Sequence, residues 1–82
     1  MKHELKTLPI YFQRSWEQGK TFEVRLNDRD FQKGDKILLK EYDGTNYTGR
    51  EILGEILYVL SDFDGLQKDY VIFSFCVDQY FS

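Results

Sequence analysis

Apolar and polar residues alternate strictly from Thr21 to Leu26, with Phe22, Val24 and Leu26 on one side and Thr21, Glu23 and Arg25 on the other. Successive side chains of a strand point to opposite faces. The alternation therefore predicts a half-buried strand with Phe22, Val24 and Leu26 in the core, and with Glu23 and Arg25 together on an accessible or cleft-facing side. A longer period precedes it. Leu8, Phe12 and Trp16 recur every fourth residue around Pro9–Gly19, which predicts a short helix with its apolar stripe turned inward. Pro9 suits its first turn and Gly19 its stop. His3–Lys6 reads as a short strand ahead of it.

Beyond the signature strand, Asn27–Asp30 reads as a loop and Gln32–Asp35 as a turn that launches a strand over Lys36–Glu41. Asp43–Gly49 is a second loop. Arg50–Leu60 and Tyr70–Val77 are rich in Ile, Leu, Val, Phe and Tyr and are bounded by Gly or Asp, so both predict strands joined by an irregular segment. The spacing over Glu51–Leu60 also fits a helix, but Gly54 and the residues around Tyr58 favour strand. Five strands and one early helix are too few for a parallel βαβ sheet. They suit a β-rich α+β fold, a small and mostly antiparallel pseudo-barrel.

A chain of 82 residues holds one hydrophobic core, because halves of it would be too small to bury themselves. At 41% hydrophobic and 17% aromatic, it has material for that core. The longest apolar run, Ile56–Leu60, is far short of the ~20 residues of a membrane-spanning helix. Cys76 is the lone cysteine, so no internal disulfide forms, and the first residues lack the apolar stretch of a secretory signal; a reducing cytoplasm is the expected setting. A net charge of −3 argues against a protein that grips nucleic acid mainly by neutralising phosphates. The charge is uneven, however: residues 6–40 carry eight bases against five acids, and residues 41–82 two bases against eight acids.

No CxxC pair, HExxH, Walker loop or GxGxxG occurs, so no cofactor or metal is expected. His3 and Cys76 are each the sole residue of their kind, which leaves no Cys/His pair for nucleophilic chemistry. Cys76, between Phe75 and Val77, reads as a small sheet residue. The chemistry-bearing unit is Gly19-Lys20-Thr21-Phe22-Glu23-Val24-Arg25, where a carboxylate and a guanidinium project from one strand face and offer an acceptor beside a planar donor fork. Read structurally, the same residues are a solvent-facing strand with an ion pair worth under ~1 kcal/mol.

Gly19-x-Thr21 and Lys20-x-x-Glu23-x-Arg25, followed by a loop and Gly34-Asp35, resemble the hallmark of the ASCH (activating signal cointegrator homology) domain of the PUA-like superfamily. One residue fewer separates Gly and Lys here than in the fuller family form. The resemblance spans most of the chain and implies a PUA-like pseudo-barrel whose helix and signature strand border a cleft for RNA or a nucleobase-like ligand, in RNA-related regulation. Lys20, Thr21, Glu23 and Arg25 are the implied ligand-binding residues, with Glu23 accepting from a base edge and Lys20 and Arg25 meeting phosphate or carbonyl oxygens.

Lys6, Thr7, Asn27, Arg29 and Asp30 are flanking candidates for completing the cleft, against capping and solubility roles. Tyr11 and Trp16 are candidate stacking residues, at least one of them belonging to the core. A related ASCH branch hydrolyses acetylated cytidine with a Lys-Thr-x-Thr-x-Arg strand. Lys20 and Arg25 align with it, but Glu23 stands where the nucleophilic threonine would be, so a binding module is expected ahead of an amidohydrolase. A third alternative is a protein-interaction domain with a vestigial cleft, in which Tyr80 and Phe81 serve a homodimer.

Overall fold

The computed structural model describes all 82 residues, Met1–Ser82. The chain runs β1 (Lys2–Thr7), α1 (Pro9–Trp16), β2 (Phe22–Leu26), β3 (Lys36–Tyr42), β4 (Tyr47–Leu60) and β5 (Tyr70–Phe81). All five strands join one sheet in the order β1-β3-β4-β5-β2, curled into a half-barrel. β1 lies parallel to β3, and every other pairing is antiparallel. The fold is a small α+β pseudo-barrel, as five strands and one early helix predict. No helix is long and apolar enough to cross a membrane.

β1 and β2 are the two sheet edges, and the curl brings them towards each other. Side chains close the seam in place of a backbone ladder. Arg25 Nη2 donates to the Lys6 carbonyl at 2.9 Å, and Arg29 Nη1 donates to the Glu4 carbonyl at 2.9 Å. The interior holds Leu5, Phe12, Ile37, Leu39, Ile52, Ile56, Val71, Phe73 and Phe75, with Phe31 contributed by the loop before β3. A bulge between Leu53 and Gly54 bends β4 against β5. Gly54 is required there: a Cβ would meet the Cys76 carbonyl oxygen at 2.6 Å.

Several sequence expectations are corrected by this arrangement. The helix stops before Gly19, and the left-handed residue that turns the chain is Gln18, at φ 65°. Of the expected stripe, Phe12 is buried and Trp16 packs against the core, but Leu8 precedes the first turn and is exposed. β4 and β5 are longer than their apolar cores suggested. The extension of β5 carries Tyr80 into contact with Trp16, ring centroids 5.0 Å apart, where it packs partly buried against the core.

The largest correction concerns β2, whose faces are reversed. Phe22, Val24 and Leu26 are 48%, 50% and 47% exposed, whereas Glu23 is 3% exposed. The register explains it: Glu23 pairs with Phe73 and Arg25 with Val71, both buried, while Val24 pairs with Ile72 on the outer face. Directly opposed residues share a face. The inward side of β2 borders the seam, where charged groups find partners. There the polar face is the one that can be buried.

Candidate functional site

The seam between β2 on one side and β1 with the start of α1 on the other opens into a cleft of about 640 Å³, lined by Lys6, Thr7, Leu8, Tyr11, Lys20, Phe22, Glu23, Val24 and Arg25. Its floor is a polar network built on Glu23. Glu23 Oε1 accepts from Arg25 Nε at 2.9 Å, and Glu23 Oε2 accepts from Lys20 Nζ. Arg25 then reaches across the seam to the Lys6 carbonyl and, at 3.3 Å, to Thr7 Oγ1. A buried carboxylate is tolerable only when paired in this way. Each of its oxygens accepts from one of these cations, so Glu23 orients Lys20 and Arg25 on the cleft floor.

Strand geometry adds backbone groups to the side chains. The Asn27 N–H donates to the Asp69 carbonyl at 2.8 Å, and the Phe75 N–H donates to the Thr21 carbonyl at 3.0 Å. Odd-numbered residues of β2 thus face β5 with their backbone groups, and in an antiparallel ladder the even-numbered residues turn theirs the other way, to the seam. Lys20 Nζ takes the Phe22 carbonyl at 2.8 Å. Val24 keeps an N–H and a carbonyl on the open edge, a donor and an acceptor side by side. Tyr11, 52% exposed, and Phe22 present aromatic surface to the same cleft.

The structure brings Lys6, Thr7, Lys20, Glu23 and Arg25 together and leaves Thr21, Asn27, Arg29 and Asp30 out of the cleft. Thr21 lines a separate, smaller cavity of about 250 Å³ with Gln18, Val77, Asp78 and Tyr80. It precedes the first residue of β2, so strand alternation does not set its side. Arg29 is committed to the Glu4 carbonyl, while Asn27 and Asp30 organise their own loop by accepting from the Phe31 amide and the Gln32 side chain. Of the two stacking candidates, Tyr11 reaches the cleft and Trp16 does not. Leu8, Phe22 and Val24 were not expected there. An edge assignment for β2 is the signal that would have found them, and one sequence does not contain it.

Two further polar clusters lie outside the cleft. The Arg50 guanidinium sits 5.1 Å from the Phe12 ring centroid and 4.9 Å from that of Trp16, and grips Glu41 through Nε at 3.0 Å and Nη2 at 2.9 Å. These hydrogen bonds hold the Glu41 carboxyl below its ordinary value, against the opposing effect of burial, and raise Arg50. Asp35, in the turn before β3, lies 2.8 Å from His3 Nε2 and accepts from the Gln32 amide; the His3 contact is the larger cause of its lowered pKa. Both clusters fasten α1 and β1 to the sheet. No group of three or more His, Cys, Asp or Glu side chains is placed to hold a metal ion.

The family described as a domain of unknown function (DUF3850) matches residues 2–75, which include every lining residue of the cleft. The chain is also similar to an uncharacterized 12.9 kDa protein in the GpA 3'region of Escherichia phage P2. The two are 36% identical over 70 residues, which amount to 85% of this chain and 63% of the phage protein. The chain thus spans less than two thirds of that relative's length.

Proposed function

We propose that this chain, which belongs to the DUF3850 family, is a small binding module whose seam cleft takes a nucleobase carrying phosphate, as a single-stranded RNA segment or a free nucleotide. The observation that carries the reading is the convergence on one cleft of the open Val24 backbone edge, the aromatic surfaces of Tyr11 and Phe22, and the cations Lys6, Lys20 and Arg25. Each matches one part of such a ligand. A base stacks on an aromatic ring for ~1–3 kcal/mol, and its edge offers adjacent donors and acceptors to a backbone N–H and carbonyl. Phosphate oxygens suit the lysines.

Three cations and one carboxylate line the cleft, so the local charge is positive although the whole chain carries −3. A volume of about 640 Å³ lies within the range of roughly 300–1,000 Å³ for small-ligand sites. The ASCH resemblance of Gly19–Arg25 supports the same reading, and the exposed free thiol of Cys76 supports a reducing, cytoplasmic setting.

The test is an NMR titration with nucleoside monophosphates in one arm and short single-stranded RNA in the other. Amides from Phe22 to Arg25 and at Tyr11 should shift, and Tyr11→Ala should weaken binding roughly tenfold or more. With at most three cations facing phosphate, the log–log salt slope for RNA should be no steeper than about −2. Binding of nucleotides without preference for RNA would identify a small-molecule site. No shift at millimolar ligand, or undiminished binding by Tyr11→Ala, would overturn the reading. Turnover of acetylated cytidine on long incubation, followed by mass spectrometry, would replace it with a hydrolase.

A further inference from the structure

Lys6, on the cleft wall, also faces a second group of aromatic rings. Tyr42, the last residue of β3, pairs in register with Tyr47, the first of β4. Their ring centroids lie 5.1 Å apart at 63°. Lys6 Nζ stands 4.7 Å from the Tyr42 ring centroid, and Lys40 Nζ stands 4.5 Å from that of Tyr47. Tyr47 is 48% exposed, and neither tyrosine belongs to the hydrophobic core. The pair lies outside the cleft but shares Lys6 with it.

Register sets Lys6 directly opposite Lys40, a like-charge placement that costs stability unless something offsets it. Lys40 has that offset: its Nζ lies 3.4 Å from Glu4, and it stands opposite Glu51 on β4. Two other acids of this corner are engaged elsewhere. Glu41 accepts from Arg50 and Thr48, and Asp43 accepts from the Thr45 and Asn46 amides. Lys20 and Arg25, the other cations of the cleft, are paired with Glu23. Lys6 is therefore the cleft cation with no carboxylate of its own. It joins two sets of rings, Tyr11 and Phe22 inside the cleft and Tyr42 and Tyr47 outside it.

We infer that Tyr42 and Tyr47 form a second base subsite and that Lys6 is the phosphate anchor between it and the cleft, so that the ligand is a single strand of linked nucleotides and not a lone nucleotide. The inference rests on the cleft reading and narrows it. A strand alternates flat bases with anionic phosphates. The surface from Phe22 through Lys6 to Tyr47 combines rings and cations in the same way, with Lys20 Nζ 5.2 Å from the Phe22 ring centroid at its start. Stacking rings beside a cation are the common build of a sequence-tolerant single-strand site. A free nucleotide would satisfy the cleft and leave the outer tyrosines unused. As a cross-strand pair they also steady the β3–β4 hairpin, so a loss of stability alone does not distinguish the two roles.

Isothermal titration calorimetry of the whole chain compares a nucleoside monophosphate with a single-stranded oligoribonucleotide of about six nucleotides. Wild type should bind the strand at least about tenfold more tightly, and only the strand should shift the Tyr42 and Tyr47 amides in NMR spectra. Tyr47→Leu keeps apolar cover on the hairpin and removes the ring. It should lower the ratio of strand to monophosphate affinity roughly fivefold or more, the loss of one stacked base. A merely structural tyrosine would lower the denaturation midpoint and leave that ratio unchanged. Equal wild-type affinities, an unchanged ratio in folded Tyr47→Leu, or strand-induced shifts confined to the cleft would each overturn the inference; the cleft reading would survive them if Tyr11→Ala still weakened both ligands. Undiminished binding of both ligands by Tyr11→Ala would overturn the cleft reading itself, and this inference with it. The wild-type shift map decides the matter if Tyr47→Leu fails to fold.

Discussion

Replacing Arg25 with methionine keeps the length of the side chain and removes its guanidinium, which tests whether the seam is held by a buried charge network or decorated by a surface ion pair. The substitution deletes the hydrogen bonds from Arg25 to Glu23, the Lys6 carbonyl and Thr7. It leaves Glu23, at 3% exposure, with Lys20 as its remaining charged partner. A hydrogen bond to a charged group is worth ~1.5–3 kcal/mol, and breaking a buried pair costs ~3–5 kcal/mol. Two facts lower the expectation: the Arg25 side chain is 26% exposed, and Lys20 still neutralises part of the carboxylate.

A loss of about 2–3 kcal/mol follows. In a domain of this size that corresponds to a fall of about 10–20 °C in Tm. Arg25→Lys should lose less, because it retains the charge without the planar fork. Urea denaturation of Arg25→Met, Glu23→Gln and the double variant measures the coupling directly; a value of at least ~1 kcal/mol is expected for neighbours in one network. A loss under ~0.5 kcal/mol with no coupling would refute the reasoning, since that is how an exposed pair behaves. The same numbers make Tyr11→Ala a cleaner binding variant than any change at Glu23 or Arg25.

Two further outcomes follow from the fold. Gly54→Ala should cost about 2–3 kcal/mol in chemical denaturation, because its Cβ would lie 2.6 Å from the Cys76 carbonyl oxygen and backbone cannot move aside as a flexible side chain can; a cost under ~0.5 kcal/mol would show that β4 and β5 are not so closely apposed. Asp35 and Glu41 have folded pKa values below those of the unfolded chain, so the stability they contribute is present above the ordinary carboxylate range, about pH 4. It is lost as pH falls through the lowered folded values. Asp35→Asn and Glu41→Gln should therefore be less stable than wild type at pH 7 and lose less on acidification, as denaturation midpoints from pH 7 to pH 2 would record; curves parallel to wild type would refute the assignment.

Local patterns determined much of this protein by themselves. Alternation over Thr21–Leu26 identified β2, the Ile, Leu and Val runs identified β4 and β5, and Pro9 marked where the helix starts, because strand period, turn chemistry and helix initiation are properties of neighbouring residues. The same local reading put Lys20, Glu23 and Arg25 near one another, since they lie within six residues, on β2 and just before it.

Tertiary structure alone decided which face of β2 turned inward, and with it the site. Amphipathic alternation distinguishes two faces without saying which is inside. That choice depends on β2 lying at the sheet edge, on its register with β5, and on the curl that brings Lys6 and Thr7 from β1 against it. Once the seam supplied partners for Glu23, the carboxylate could be buried without the penalty of an unpaired charge. Phe22 and Val24 then turned outward, to the cleft rim and the open face. Thr21, just before β2, and Arg29, in the loop after it, were carried elsewhere, to a separate cavity and to the Glu4 carbonyl. Tyr11, separated from β2 by a helical turn and a reversal of the chain, joined the cleft through long-range packing, for which sequence period holds no signal.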